Sequence, residues 1–204
     1  MATEGTEQRS GGMATELLEY IYGVLFQPVP TMGRLAEERP LGLAVLVQVA
    51  LATLSAGLTL LGSALWEPFV SPSLLVATTL LAVVSSLIIW VTVTGVLQIL
   101  AEMLGGRSTG LLAVTGFAEM PLVFTPVVAV LGRAGGRGVE VVLSLALVLW
   151  VTVLYALAVR ETHGLTTARA AGTLVLGGAA LLVLLFAVIF VVIAFWQSLL
   201  QGLH

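Results

Sequence analysis

Long apolar runs, separated by short polar connections, fill most of this 204-residue chain. Five of the runs reach the roughly 20 residues that an α-helix needs to cross the hydrocarbon core of a bilayer. The connections between them are too short to hold a folded soluble domain. The pattern therefore predicts an all-α, polytopic membrane protein. Its five transmembrane helices are predicted within a domain over residues 41–201, at about 41–66, 73–101, 111–132, 139–159 and 171–200.

The residues that precede the first span follow a different pattern. Residues 1–12 are polar and contain glycine, which predicts a short disordered tail. Residues 13–40 predict two short amphipathic helices, because apolar side chains recur at helical spacing and Pro28 and Pro30 end the first helix. Neither helix is long enough to span a bilayer. We predict that they lie at the cytoplasmic membrane interface or dock beneath the bundle.

Composition agrees with the membrane class and excludes several functions. Charged residues make up 9% of the chain, against about 25% in soluble domains. Cysteine and lysine are absent, so thiol chemistry and a phosphate-binding P-loop at residues 105–110 have no support. The glycines at 105–110 predict a helix C-cap and a turn instead. No serine lies at a recognisable spacing from His163, and no basic cluster indicates nucleic-acid binding. We therefore predict a non-enzymatic protein with no cofactor and no nucleic-acid partner.

The distribution of arginine predicts the orientation of the chain in the membrane. Cytoplasmic connections of membrane proteins carry an excess of Arg and Lys. With the N-terminus inside, most arginines fall on the cytoplasmic side: Arg9, Arg34, Arg39, Arg107, Arg160 and Arg169. The outer side then has only Arg133 and Arg137. The pattern favours an N-in, C-out arrangement in the lipid bilayer.

Glu119 lies inside the third predicted span, roughly 12 Å beyond Leu111 at about 1.5 Å per residue. A carboxylate at that depth is costly and is a functional-site candidate by default. It must be neutral, face water or have a partner, and Arg107, Arg160 and Arg169 on the same side are candidate partners. Glu119 either fixes helix packing or serves as a proton or cation relay or the lining of a polar cavity.

Two prolines, Pro121 and Pro126, interrupt the same span. Each removes a backbone donor, so the carbonyls of Phe117 and Leu122 are predicted to lose their helical partners. Such breaks occur where neighbouring groups or water satisfy the freed carbonyls, and transporters use broken helices at binding sites. Glu119 and the two prolines are therefore the candidate intramembrane site. Other polar residues within the spans are expected to hydrogen-bond between helices; these include Gln48, Gln98, Thr92 and Thr94.

A metal site is a second hypothesis for the cytoplasmic side of the bundle. Carboxylate and imidazole ligands could hold Mg²⁺ or Zn²⁺ there. The candidate ligands are Glu102, Glu119, Glu161 and His163. No local ligand spacing supports such a site, so we predict no bound metal.

Three segments of the chain carry a family resemblance. The first is YGVLFQPVPT at residues 22–31 with ERP at 38–40, the second is GFAEMPL at 116–122, and the third is RETHGLTTARA at 160–170. Together they resemble the Yip1 domain family in its prokaryotic branch, over nearly the whole hydrophobic chain. The core of the second segment and the His-Gly-Leu-Thr-Thr part of the third are the most specific. Glu119 falls at a variable position of that core.

The resemblance implies a polytopic membrane protein without known enzymatic chemistry. Eukaryotic relatives are linked to Rab GTPases and membrane traffic, a role that does not transfer to a prokaryote. We predict a membrane scaffold or adaptor in the prokaryotic cytoplasmic (inner) membrane, which acts on other membrane proteins, on itself as a homo-oligomer, or on lipid. The candidate residues of its cytoplasmic surface are Arg107, Arg160, Glu161, His163 and Arg169. The alternative is a small transporter, ion pathway or lipid-handling protein that uses the broken third span.

Overall fold

The computed structural model describes residues 4–64, 71–107 and 109–201. In these ranges the chain is helical apart from short turns and contains no strand, so the all-α prediction is confirmed. Two helices precede the spans, α1 (Glu4–Phe26) and α2 (Pro28–Glu38). The spans follow as α3 (Leu41–Ala64), α4 (Pro72–Met103), α5 (Leu111–Ala118) with a 3₁₀ helix (Met120–Phe124) and α6 (Thr125–Gly135), α7 (Arg137–His163) and α8 (Thr167–Gln201).

Five helical segments of the described chain are long and apolar enough to cross a membrane, which confirms the five predicted spans. The third is a series of α5, the 3₁₀ helix and α6. The last two helices extend about one turn beyond their apolar runs, since α7 reaches His163 and α8 begins at Thr167. Hydropathy ends at the first charged residue, whereas a helix continues to its cap. Residues 65–66 of the first predicted span lie outside the described chain.

The first helix is longer than its amphipathic pattern. It begins at Glu4, so residues 4–12 are helical where the sequence predicts a disordered tail, and residues 1–3 lie outside the described chain. The sequence has two glutamates in the first turns of this helix, and acidic residues there favour a helix N-terminus because of the helix dipole. The helix ends at Phe26, shortly before Pro28 opens α2.

The short helix α5 lies at the centre of the bundle. All of its residues except Leu112 are buried, and it contacts α3, α4, α7 and both N-terminal helices. Gly116 allows the approach of α3, because a Cβ added there would lie 2.7 Å from the Cβ of Ala44. Small residues at helix contacts let backbones come close together inside membranes. The sequence of α5 therefore makes it the element around which the other helices pack.

Buried polar side chains connect α5 to its neighbours. Trp90 Nε1 on α4 donates a hydrogen bond to Thr115 Oγ1 at 3.1 Å, and the hydroxyls of Thr94 and Thr115 lie 2.8 Å apart. On α3, Gln48 Nε2 donates to the Gly116 carbonyl at 3.3 Å. The expectation that Gln48 and Thr94 hydrogen-bond between helices is therefore confirmed. Such bonds satisfy polar groups that lipid cannot satisfy.

The last helix presents much of its surface to lipid. Helix α8 contacts α4 and α7, but every residue from 182 to 198 is exposed, including Phe186, Phe190 and Trp196. A helix satisfies its backbone hydrogen bonds internally, so such an apolar surface is stable in hydrocarbon. The bilayer is therefore in direct contact with the protein.

The two N-terminal helices dock on the bundle. Tyr20 and Val24 of α1, together with Met32 and Leu35 of α2, are buried in the same core as Phe117 of α5. The rings of Tyr20 and Phe117 lie 5.3 Å apart between centroids. The opposite side of α1 exposes an apolar stripe. This arrangement is the docked alternative of the sequence prediction, and the exposed stripe is compatible with a position at the membrane interface.

A polar network joins α1 to α2. The Tyr20 hydroxyl donates to the Glu38 carboxylate and lies 3.3 Å from Glu16 Oε1. Arg34 Nε donates to Glu38 at 2.6 Å, and the Arg34 guanidinium lies 5.1 Å from the centroid of the Tyr20 ring. The hydrogen bonds from Tyr20 and then from Arg34 hold the pKa of Glu38 below its ordinary value, whereas burial raises the pKa of Tyr20.

The Glu38 network predicts a pH-dependent docking of α1. The folded-state pKa of Glu38 lies below the ordinary value of 4.5. The stability that the Glu38 carboxylate contributes is therefore present above about pH 4.5 and is lost as pH falls through the folded-state pKa. We expect Tyr20→Phe to raise amide hydrogen exchange in α1 by about fivefold at pH 7, since it removes one hydrogen bond to a charged group and keeps the ring. The mutational effect should shrink towards pH 3.

The matched control for this measurement is Tyr22→Phe, because Tyr22 is exposed and lies outside the network. It should leave exchange unchanged at both pH values. Equal exchange in wild type and Tyr20→Phe at pH 7 would show that the network does not hold α1.

Candidate functional site

The third span breaks at Glu119, which ends α5 and precedes the 3₁₀ helix. Pro121 and Pro126 are the second residues of the 3₁₀ helix and of α6. A missing backbone donor costs little in the first turn of a helix, where no partner is available in any case. The span is therefore three short helices placed end to end, with a partly buried turn at Glu119 between the first two.

The carbonyls next to the prolines have partners, which corrects the prediction that they are freed. Phe117 accepts from the backbone N–H of Glu119, and Leu122 accepts from that of Thr125. The N–H of Leu122 in turn donates to the Glu119 carbonyl at 2.9 Å. The backbone tightens into turn and 3₁₀ geometry, so donors two or three residues along the chain replace those lost to proline.

The Glu119 carboxylate is held by a tyrosine of the neighbouring span. The Tyr155 hydroxyl donates to Glu119 Oε1 at 2.6 Å, and Tyr155 is only 8% exposed. None of the ion pairs in the described chain involves Glu119, so none of the three candidate arginines is paired with it. A hydroxyl reaches the carboxylate from within the bundle, whereas an arginine would have to extend inwards from the loops. A hydrogen bond to a carboxylate is stronger than one between neutral groups.

A cavity of about 560 Å³ opens beside Glu119, between α3, α4 and the broken span. Its polar lining consists of Gln48, Ser55, Thr78, Ser86, Glu119 and Thr125. Gln48 is 1% exposed, and its Oε1 has no hydrogen-bond partner in the described chain. Buried polar atoms are nearly always paired, so this orphan acceptor marks the cavity as more than a packing defect. The hypothesis that Glu119 lines a polar cavity thus has a geometric basis.

Two helices end in similar turns at one end of the bundle. The N–H of Gly105 donates to the Glu102 carbonyl at 3.0 Å, and that of Gly106 to Ala101 at 2.9 Å, which closes α4. Gly105 has φ 97°, and Gly164 closes α7 with φ 63°. Glycine adopts these left-handed conformations without steric cost. The helix C-cap and turn predicted at 105–110 are confirmed at Gly105 and Gly106.

The two turns pack against each other through His163. A Cβ added at Gly106 would lie 2.8 Å from Cβ and Nδ1 of His163. His163 is 7% exposed, and neither ring nitrogen has a hydrogen-bond partner in the described chain. The prediction that His163 belongs to an exposed surface is therefore wrong. It fills the seam between the turns, because glycine at position 106 leaves room for the imidazole.

The arginines of these turns are exposed and lie near one another. We define the loop face as residues 104–107, 109–110 and 164–166 with the neighbouring Arg39 and Arg169. A Cβ added at Gly105 would lie 3.7 Å from an Arg169 guanidinium nitrogen, and one at Gly110 would lie 2.9 Å from Cδ of Arg39. Arg107 is also exposed. The structure thus brings the predicted Arg107 and Arg169 together on one face.

The remaining candidates have other partners. Arg160 pairs with Glu161, with Nε 2.9 Å from Oε1, and both side chains are partly buried. The described residues contain no group of three or more His, Cys, Asp or Glu able to hold a metal ion. Glu102, Glu119, Glu161 and His163 are therefore not assembled into a shared metal site.

Sequence reasoning missed Tyr155 as the partner of Glu119. One signal could have identified it: Glu119 lies eight residues inside the start of α5, and Tyr155 lies eight residues inside the end of α7. Adjacent antiparallel spans bring residues at equal depth together, and a tyrosine hydroxyl within a span needs a hydrogen-bond partner.

Comparison with known proteins gives a family match over most of the chain. The model of the Yip1 domain matches residues 22–198, which include α2, all five spans, Glu119 and the loop face. No curated protein and no solved structure matches the chain. The matched range also contains the three segments that resemble this family in the sequence. The chain is an integral membrane protein and belongs to the Yip1 domain family.

Proposed function

We propose that this protein is a non-enzymatic membrane scaffold or adaptor that binds its partners through the loop face. The observation that carries the proposal is the packing of two connections that are far apart in sequence. His163 fits against Gly106, and Arg169 lies beside Gly105. A surface built from two fixed turns presents its side chains in a defined geometry, which specific binding requires.

The charge of the loop face indicates the chemistry of its partners. Arg39, Arg107 and Arg169 are exposed, and arginine presents planar donors that match carboxylates and phosphates. The partner is therefore an acidic segment of another membrane protein or of a second copy of this chain, close to lipid headgroups. Complementary charge would steer such a partner and fix its register.

Arginine placement also supports a cytoplasmic location for this face. The arginines of the loop face outnumber those at the junction of α6 and α7, where Arg133 lies in the last turn of α6 and Arg137 begins α7. By the positive-inside rule, the loop face would lie in the cytoplasm, and Arg133 and Arg137 would lie outside. The proposed location is the cytoplasmic membrane of a prokaryote.

Site-specific photo-crosslinking in native membranes tests the proposal. A photoreactive residue at Arg107 or Arg169 should capture discrete membrane-protein adducts, or a dimer of this chain. The same residue at Arg133 or Arg137 is the matched control, since these arginines are exposed at the other end. The double variant Arg107→Glu, Arg169→Glu should weaken capture at a reporter in the loop face by about tenfold, because two charge pairs become repulsive. Equal capture from both ends would refute the proposal.

A second candidate function is favoured by the cavity beside Glu119. A small transporter, ion pathway or lipid-handling protein would use this polar cavity and the break in the third span. Proteoliposomes that contain wild type or Glu119→Gln distinguish this function from an adaptor. Flux of protons, cations or lipid that Glu119→Gln abolishes would support it, and the absence of flux from both proteins would exclude it.

A further inference from the structure

The lining of the cavity beside Glu119 presents hydrogen-bond acceptors, and the proposed adaptor function does not use them. Its polar walls offer acceptors: the Glu119 carboxylate lines the cavity and accepts a hydrogen bond from Tyr155 through Oε1. Gln48 Oε1 is a second acceptor, and it has no donor in the described chain. The Thr78 hydroxyl already donates to carbonyls of its own helix at 2.8 and 3.0 Å, so its oxygen is left as an acceptor.

The cavity contains no internal group that would match these acceptors. None of the described residues that line it is cationic, and none is aromatic. A carboxylate without a cationic neighbour and an amide oxygen without a donor are costly in low-dielectric surroundings. A ligand that carries several N–H donors and a positive charge would satisfy both.

The same lining distinguishes between classes of cation. Quaternary ammonium groups cannot donate hydrogen bonds and are bound by aromatic cages, which the described lining lacks. Mg²⁺ and Ca²⁺ take six or more oxygen ligands and Zn²⁺ takes about four ligands, and no group of metal-binding side chains is assembled among the described residues. A primary ammonium has three donors and suits a site of one carboxylate and one amide oxygen.

The rest of the cavity is apolar. Leu51, Ala52, Ala56, Ala82 and Leu122 complete its walls, and a volume of about 560 Å³ far exceeds that of an ammonium group. The additional space suits a hydrocarbon portion attached to the amine.

We propose that the cavity beside Glu119 binds a primary ammonium group attached to an apolar portion, with Glu119 as its counter-ion and Gln48 as a second acceptor. The ligand is either an aminophospholipid headgroup or a free amphiphilic amine. The site is independent of the loop face, so the adaptor proposal and this one can fail separately.

Native mass spectrometry of the detergent-solubilised full chain tests the lipid source. Phosphatidylethanolamine should be retained about tenfold better than phosphatidylcholine with the same acyl chains, because trimethylation removes all three donors. Glu119→Gln should abolish the preference, and Glu37→Gln, an exposed carboxylate outside the spans, should preserve it. Equal retention of both lipids by wild type excludes the aminophospholipid.

Octylamine and octyltrimethylammonium test the free-amine source. Glu119-dependent protection by octylamine alone, measured as a rise in melting temperature, would assign the site to a small amphiphilic amine. Competition between octylamine and phosphatidylethanolamine would show that one site binds both. If neither the lipid nor octylamine is preferred over its trimethylated counterpart, the proposal is wrong.

Two single-cysteine variants keep the test valid if Glu119→Gln fails to fold. The chain has no cysteine, so Ser86→Cys in the cavity and Ser85→Cys on the exposed side give matched single thiols. A cationic aminoethyl thiosulfonate should modify Ser86→Cys at least about tenfold faster than an anionic sulfonatoethyl reagent, and octylamine should slow that reaction. Ser85→Cys should show neither effect. Equal rates for both reagents at Ser86→Cys would overturn the proposal.

Discussion

Gly116→Val is expected to lower the free energy of unfolding by about 3 kcal/mol, near the upper end of the range for overpacking. A Cβ at this position would lie 2.7 Å from Ala44 Cβ, 3.1 Å from the Trp90 ring and 3.2 Å from the Ala44 Cα. The last contact is with backbone, so α3 and α5 must separate. Separation also stretches the hydrogen bond from Gln48 to the Gly116 carbonyl. Titration with a denaturing detergent, monitored by tryptophan fluorescence, measures the loss.

Gly95→Val is the matched control for this variant. Gly95 also lies within a span, but a Cβ added there meets nothing within 4 Å. Its substitution should change stability by less than about 0.5 kcal/mol, as at a surface position. If Gly116→Val and Gly95→Val have the same stability, the close contact between α3 and α5 is not a feature of the folded protein.

Phe117→Ala is expected to cost about 3 kcal/mol, at the lower end of the range for truncating a buried phenylalanine. Phe117 is fully buried and packs on the Tyr20 ring, so it links α5 to α1. Its loss leaves a cavity at the site where the N-terminal helices dock. We therefore expect a second effect besides lower stability: faster proteolysis within α1 and α2 at temperatures where the spans remain folded.

Phe186→Ala provides the comparison for Phe117→Ala. Phe186 is 67% exposed on α8, where lipid can replace the lost contacts. It should leave both detergent resistance and proteolysis unchanged. Similar proteolysis of α1 in both variants would contradict the docking of the N-terminal helices on α5.

The sequence predicted the five spans and the break in the third because both follow from one-dimensional properties. Apolar runs of sufficient length can only cross the bilayer as helices, and Pro121 cannot continue the helix of α5. The exact ends differed by about one turn, since helices run on to their capping residues. The glycine turn at 105–110 was predictable for the same reason.

The partners of the polar residues were not predictable in this way. The candidate partners of Glu119 were arginines, and the structure gives it Tyr155, which is far away in sequence. His163 was expected on the surface, yet Gly106 leaves space for it between the turns. Both outcomes depend on which helices are neighbours and on their rotation, and hydropathy contains neither. A sequence does show how deep each residue lies within its span, and residues at equal depth in adjacent spans are candidates for contact.

The cytoplasmic position of the loop face is the central claim of the proposed adaptor function. The absence of cysteine allows a direct measurement, because a single introduced thiol is the only reactive site. Cysteine would replace Arg107, Arg169, Arg133 or Arg137, one at a time, and intact cells would be treated with a membrane-impermeant maleimide. We predict labelling at positions 133 and 137 in intact cells, and labelling at 107 and 169 only after permeabilisation. Labelling of 107 and 169 in intact cells would contradict a cytoplasmic loop face.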